Sequence, residues 1–222
     1  MTRRRTPWLL RASVGVTLVG VVALSAPGHL SAAPGATITI TVNAVGANGE
    51  PVNGYQVANR QGSPNLSACL VPSPAAVGNN IYSCEPAQAA AEVCWPAPAS
   101  VLCLMDPWSK ALRRFAAPGS LPAVDPPATP MPFALQLGDG TRCILPNGIN
   151  WGARADDMVP AYGCNPGKTS IGVLIAPGDD PVSAIDRSQP VWVVRVGELG
   201  PRDTPFESPR RHAVNMAWFA GN

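Results

Sequence analysis

Histidine is nearly missing from this sequence: His29 and His212 are the only two among 222 residues. Charge is thin as well, at 14% Asp, Glu, Lys and Arg, and the uncharged apolar run at 14–26 is only 13 residues long. A helix that crosses a bilayer needs about 20 such residues, so a multi-span membrane protein is excluded. Low charge without heptads or repeats also excludes a coiled coil, a helical repeat array and a charged nucleic-acid arm. No C-x-x-C, H-E-x-x-H or G-x-S-x-G occurs, and neither Asp156-Asp157 nor Asp179-Asp180 lies in an EF-hand pattern. Zinc is short of imidazole ligands, and no metal or organic cofactor is expected. The string from Gly163 to Gly167-Lys168-Thr169 has three residues between its glycines where a P-loop needs four, and a strand pattern follows it. It reads as a turn, and no nucleotide ligand is expected.

Large apolar residues are sparse too. Leu, Ile, Val and Phe make up 40 of the 189 residues after residue 33, while the chain holds 26 Pro and 21 Gly. That is near the floor for a packed core, yet the low net charge is unlike a disordered chain. One thinly cored, loop-rich domain in need of covalent staples satisfies both observations.

What is present begins with an export signature. Arg3, Arg4, Arg5 and Arg11 precede the apolar run at 14–26, and small residues follow, with Ser31-Ala32-Ala33 the best cleavage site. Residues 1–33 therefore read as a secretory signal peptide. The alternative is an uncleaved anchor, in which case this segment is the only part to meet a membrane. Four of the 16 basic residues lie in it and all 14 acidic ones lie beyond it, so the remaining chain is net −2. A nucleic-acid partner is not expected.

Cys69, Cys84, Cys94, Cys103, Cys143 and Cys164 all follow the signal, with gaps of 14, 9, 8, 39 and 20 residues. An even count in an exported chain reads as three disulfides, with 15 connectivities open. Cys143 with Cys164, enclosing a Gly-rich stretch, is the first pair expected. A catalytic thiol would need an odd cysteine and a histidine partner.

The pattern along the chain is mostly β. Residues 37–42 (TITITV) alternate strictly, 46–62 is Gly/Asn-rich loop, and 101–104 reads as a short strand. Residues 85–93, with Pro86 near the first helical position, predict a two-turn helix, and Asp106-Pro107-Trp108 predicts a capped helical turn through Leu112. Six prolines in 116–132 leave only an extended connector. Phe133, Leu135 and Leu137 then alternate into a Gly138-Asp139-Gly140 hairpin returning at 141–145, and 171–175, 191–196 and 214–219 are further strands. The expected architecture is a mainly β, disulfide-stapled sandwich or barrel with one or two short helices. Its organisation is the signal at 1–33, an N-terminal strand and loop at 34–65, and a Cys-rich domain at 66–222 carrying the connector.

Candidate functional residues are few. A Ser-His-Asp triad could use only His212, in the basic run Arg210-Arg211-His212. A glycosidase needs two carboxyls roughly 5 to 10 Å apart across a cleft, for which Asp139, Asp156 and Asp157, flanking the disulfide region, are the candidates. Glu85 and Glu92 fall on one face of the predicted helix. Of Trp95, Trp108, Trp151, Trp192 and Trp218, the last two lie on apolar strand faces and read as core. Trp151, beside Arg154, is the one placed to be exposed or to meet a ligand, with core packing as the competing reading.

Several strings occur together: Cys94-Trp95-Pro96, Cys103 through Asp106-Pro107-Trp108, Leu137 through Arg142-Cys143, Trp151-Gly152-Ala153-Arg154, Tyr162-Gly163-Cys164 and Asp186-Arg187-Ser188. Over residues 80–220 the chain resembles exported, Cys-rich actinobacterial proteins of the mycobacterial type, a group with no assigned activity. The resemblance implies export and a Cys-rich domain and carries no catalytic residue. The expectation is thus a secreted, non-catalytic binding or structural protein of the cell envelope, with an envelope glycan, lipid or protein as partner. The alternative is a carboxylate-dependent hydrolase of cell-wall glycan.

Overall fold

The computed structural model describes residues 35–58, 65–145, 152–165 and 170–222. The segment expected to be a signal peptide and Trp151 lie outside the described residues. Among the described residues fourteen strands form two sheets: β1 (Ile38–Val42), β2 (Gln56–Val57), β3 (Ala68–Pro72), β4 (Tyr82–Glu85), β5 (Cys94–Ala97), β6 (Ser100–Asp106) and β7 (Ala111–Ala116) precede the proline-rich connector. After it come β8 (Ala134–Leu137), β9 (Arg142–Ile144), β10 (Val159–Cys164), β11 (Ile171–Ile175), β12 (Ile185–Asp186), β13 (Val193–Glu198) and β14 (Arg210–Ala220).

The first sheet closes on itself. Its order is β1-β14-β8-β9-β10-β11-β13-β12, and β14 also pairs with β13, so β14, β8, β9, β10, β11 and β13 make a six-stranded barrel. The 11-residue β14 makes this possible. Arg210–Ala213 of β14 pair with β13, whereas Val214, Met216, Ala217 and Trp218 pair with β8, and a bulge separates Val214 from Met216. A bulge bends its strand and increases local twist, which is how a long strand serves barrel closure. Beyond the point where β13 departs, β1 runs parallel to β14, Ile38 opposite Met216 through Val42 opposite Ala220. Thr37 marks the fork: its hydroxyl donates to Val214 O and accepts from Trp192 N, at 2.7 and 2.8 Å.

The second sheet runs β2-β7-β6-β5-β4-β3. One face supplies Trp95, Leu102, Leu104 and Leu112 to a core shared with Phe133, Leu135 and Trp218. The other carries Tyr82, Cys84, Cys94, Val101, Cys103 and Phe115, and Leu121 and Val124 of the connector cover it. The connector is extended, as its prolines require, and docked: Tyr82 donates its hydroxyl to Pro122 O (2.8 Å) and Asn80 N–H donates to Val124 O (2.9 Å). Of the expected alternatives the molecule is therefore a barrel joined to a sheet.

All six cysteines are paired, Cys69–Cys84, Cys94–Cys103 and Cys143–Cys164. Cys94 faces Cys103 across β5 and β6, and Cys143 faces Cys164 across β9 and β10. Three disulfides fit an extracellular or otherwise oxidising environment. No described helix is long and apolar enough to cross a membrane.

Both helical expectations in the first half need correction. Residues 85–93 hold only a 3-10 turn, Ala87–Ala89, which ends with Ala90 left-handed at φ 54°. Cys84 N–H donates to Ala91 O, and Cys94 is already committed to β5 opposite Tyr82, so the chain must turn back too soon for a second helical turn. Asp106 does receive Trp108 N–H and Ser109 N–H on its carboxylate. The turn it caps is the β6–β7 hairpin, because Leu112 pairs with Leu104. A second 3-10 turn, Pro181–Ala184, is capped by Asp180.

Candidate functional site

Six strand ends meet at one mouth of the barrel. Antiparallel order brings the end of β8, the start of β9, the end of β10, the start of β11, the end of β13 and the start of β14 to the same side. Inside, Leu137, Val173, Val194 and Val214 fill the barrel and are almost wholly buried. Above them opens a cavity of about 440 Å³ whose walls include the apolar Leu137, Ile171 and Val196. Its polar members are Asp139 and Thr141 from the β8–β9 hairpin, Asn165 after β10, Glu198 ending β13, Glu207 and Ser208 ahead of β14, and Arg210 and His212 within it.

The pleat explains why these side chains converge. Arg210, His212 and Val214 alternate along β14, so they share its inward face until the bulge. Val214 pairs with Leu137, two residues before Asp139 in the hairpin. His212 Nδ1 consequently lies 3.5 Å from Asp139 Oδ2. The Thr141 N–H donates to Asp139 Oδ1 at 2.9 Å, and this bond, chiefly, holds the Asp139 carboxyl below its ordinary pKa. Arg210 pairs with Glu207 at 2.7 Å, with both side chains well exposed. Ser208 does not complete a triad, since four residues of extended chain put it about 13 Å along the strand from His212.

Arg154 stands behind this mouth. It is 1% exposed. Its guanidinium grips Asp156 in bidentate fashion (Nε–Oδ1 2.9 Å, Nη2–Oδ2 2.9 Å) and donates to Glu198 O at 2.8 Å and Glu207 O at 2.9 Å. The ring of Phe206 lies 5.4 Å from the guanidinium carbon. One buried cation thus fixes the backbone of two acidic residues of the mouth. Asp156, held below its ordinary pKa first by the Arg154 hydrogen bond, faces Arg154 and does not line the cavity. Asp157 occupies a left-handed turn position at φ 57° and also lies outside the cavity lining.

The sequence candidates therefore separate. Asp139 lines the mouth, Arg154 and Asp156 brace it from behind, and Asp157 only turns the chain. Trp95 and Trp218 are buried, as is most of Trp108 and Trp192, which pack against the shared core. Glu198, Glu207 and Arg210, which sequence reasoning passed over as site residues, come to the mouth through closure of β13 on β14. Burial pushes the Glu92 carboxyl above its ordinary pKa. It accepts the Ser83 hydroxyl at 3.0 Å and is absent from the mouth. Among the described residues no three His, Cys, Asp or Glu side chains stand together to hold a metal.

Two expected results arise from this geometry. A Cβ on Gly152 would lie 2.5 Å from Gly200 N and 2.8 Å from Leu199 C, both backbone atoms. The two segments touch there because Ala153 and Gly200 exchange backbone hydrogen bonds. Gly152→Ala should therefore cost about 1–3 kcal/mol in a urea melt, where an ordinary exposed Gly→Ala is neutral or stabilising. Acid is the second. Asp139 and Asp156 bind protons less tightly folded than unfolded, so their contribution is complete above the unfolded pKa near 4 and is lost as pH falls through the lower folded values. Thermal midpoints should fall as pH drops below about 4, and Asp139→Asn should flatten part of that fall.

No protein-family model, no curated protein and no solved structure matches this chain.

Proposed function

We propose that this is an exported, non-catalytic binding protein of the cell envelope, whose barrel mouth takes a basic side chain or amine with an apolar stem, presented by another envelope protein. The observation that carries the reading is the mouth itself, a cavity of about 440 Å³ with apolar walls and three carboxylates, Asp139, Glu198 and Glu207, against Arg210 and His212. That volume lies within the range of sites for small ligands. An alkyl stem against Leu137, Ile171 and Val196 with a cationic head among the acids satisfies both halves of the lining. Export rests on the N-terminal pattern and agrees with three closed disulfides.

The alternative, a carboxylate hydrolase of cell-wall glycan, draws support from the same three acids. Against it, Asp139 faces His212 and Glu207 faces Arg210, so these two acids already have partners. The Asp139 carboxyl is held below its ordinary pKa, chiefly by the Thr141 N–H, where a general acid at neutral pH needs a raised one.

Titration calorimetry with a lysine-bearing peptide and its norleucine counterpart tests the proposal. The lysine peptide should bind, more weakly as salt rises, and the norleucine peptide should not. Glu198→Gln should weaken the lysine peptide about five- to tenfold. Equal binding of both peptides, or none, overturns the reading. Release of soluble fragments from purified cell-wall glycan, abolished by Asp139→Asn, would establish the hydrolase instead.

A further inference from the structure

A second cavity, of about 380 Å³, lies away from the barrel mouth and has a different chemistry. It is lined by Asn43, Asn79, Asn80 and Asn222, with Val52 and Pro96 supplying accessible apolar surface above the buried Trp95 and Val45. No charged side chain lines it. The four amides come from three separate segments: Asn43 just after β1, Asn79-Asn80 in the loop before β4, and Asn222 after β14. The fold assembles them: Gly221 N–H donates to Val42 O at 2.9 Å, and Trp95 donates its indole N–H to Gly221 O at 2.8 Å, fixing the chain end over β5.

The amides are only partly used by the fold. Asn222 Nδ2 donates to Asn79 O, which leaves Asn222 Oδ1 as an acceptor. Asn80 Oδ1 receives the Val124 N–H, which leaves Asn80 Nδ2 as a donor. Asn79 makes no side-chain hydrogen bond within the described fold. Donors and acceptors on neutral amide side chains match hydroxyl groups, each of which donates and accepts. The apolar wall matches the C–H face of a ring.

We infer that the amide-lined cavity beside β1 and β5 is a binding site for a neutral sugar unit, with Asn79, Asn80 and Asn222 as hydrogen-bonding ligand residues. This goes beyond the barrel mouth, whose acids call for a cation. A protein holding both sites would link a neutral glycan to a basic partner.

Titration of the ¹⁵N-labelled protein with glucose, galactose and N-acetylglucosamine, each to millimolar concentration, tests the inference. At least one should shift the side-chain amide resonances of Asn79, Asn80 and Asn222 while the backbone amides of the barrel mouth stay in place. Asn79→Ala removes a side chain with no hydrogen bond inside the described fold, so it should keep the thermal midpoint and weaken sugar binding about tenfold. Three results overturn the inference: no sugar moves these resonances, Asn79→Ala binds as tightly as the parent, or glucosamine and glucuronate bind better than the neutral sugars.

Discussion

Reduction of the three disulfides is expected to abolish the cooperative unfolding transition at room temperature. Each bridge joins neighbouring strands, at sequence separations of 15, 9 and 21 residues. In the chain-entropy model a loop of about 15 residues contributes roughly 3 kcal/mol, and shorter and longer loops fall either side of it. Three such terms reach the 5–15 kcal/mol that a whole domain commonly possesses, and this one has little else to draw on. Its second sheet is thin at β4–β5, where one register pair, Tyr82 opposite Cys94, joins the strands. On that sheet's outer face four of the buried side chains are the half-cystines Cys69, Cys84, Cys94 and Cys103. Urea titration with and without a phosphine reductant provides the measurement. Single-bridge variants rank the staples: Cys143→Ser/Cys164→Ser should lower the midpoint more than Cys94→Ser/Cys103→Ser, because it opens the longer loop. A reduced protein that melts at the oxidised midpoint would show that packing alone holds the sheets.

The strands that sequence reveals are those whose own residues prefer the state. Residues 37–42 alternate β-branched side chains, β11 and β13 are rich in Ile and Val, and Val214, Met216 and Trp218 alternate along β14, so propensity and burial agree. The Gly138-Asp139-Gly140 turn between β8 and β9 is legible for the same local reason. β3, β4, β5, β7 and β10 are not. Their residues include Pro72, Pro96, Pro160, Glu85 and the adjacent pair Arg113-Arg114, and they are strands because partners and disulfides hold them so. Tertiary override of this kind leaves no periodic trace. The site divides along the same line. Asp139 is visible because its hairpin is, whereas Glu198 and Glu207 become its neighbours only when β13 closes onto β14, a pairing that no local pattern encodes. Arg154 is the instructive middle case. Its position near Trp151 suggests a ligand contact, but its guanidinium is buried and turned inward on the fold.

Arg154→Met is expected to be the most damaging single substitution at the barrel mouth, lowering stability by about 2–5 kcal/mol. Methionine keeps much of the apolar volume against Phe206 but takes away every donor. Glu198 O and Glu207 O would lose their guanidinium partner, and Asp156 its bidentate one. Asp156 is 46% exposed and can return to water, so most of the cost falls on the two carbonyls and the desolvated space between them. Arg154→Lys tests the geometry separately from the charge. A single ammonium cannot bridge a carboxylate and two carbonyls set around a planar fork, and it should recover less than half of the loss. The consequence for binding follows from what the fork holds. With Glu198 and Glu207 released, the acids of the mouth no longer keep a fixed spacing, and affinity for the lysine peptide should fall even at temperatures where both variants remain folded. Asp156→Asn separates these effects further, because it weakens the grip on Arg154 while leaving both carbonyl bonds in place. It should cost less than Arg154→Met in the melt and leave the peptide affinity close to that of the parent. A variant that loses stability yet binds the peptide unchanged would mean that Arg154 braces the barrel without setting the mouth.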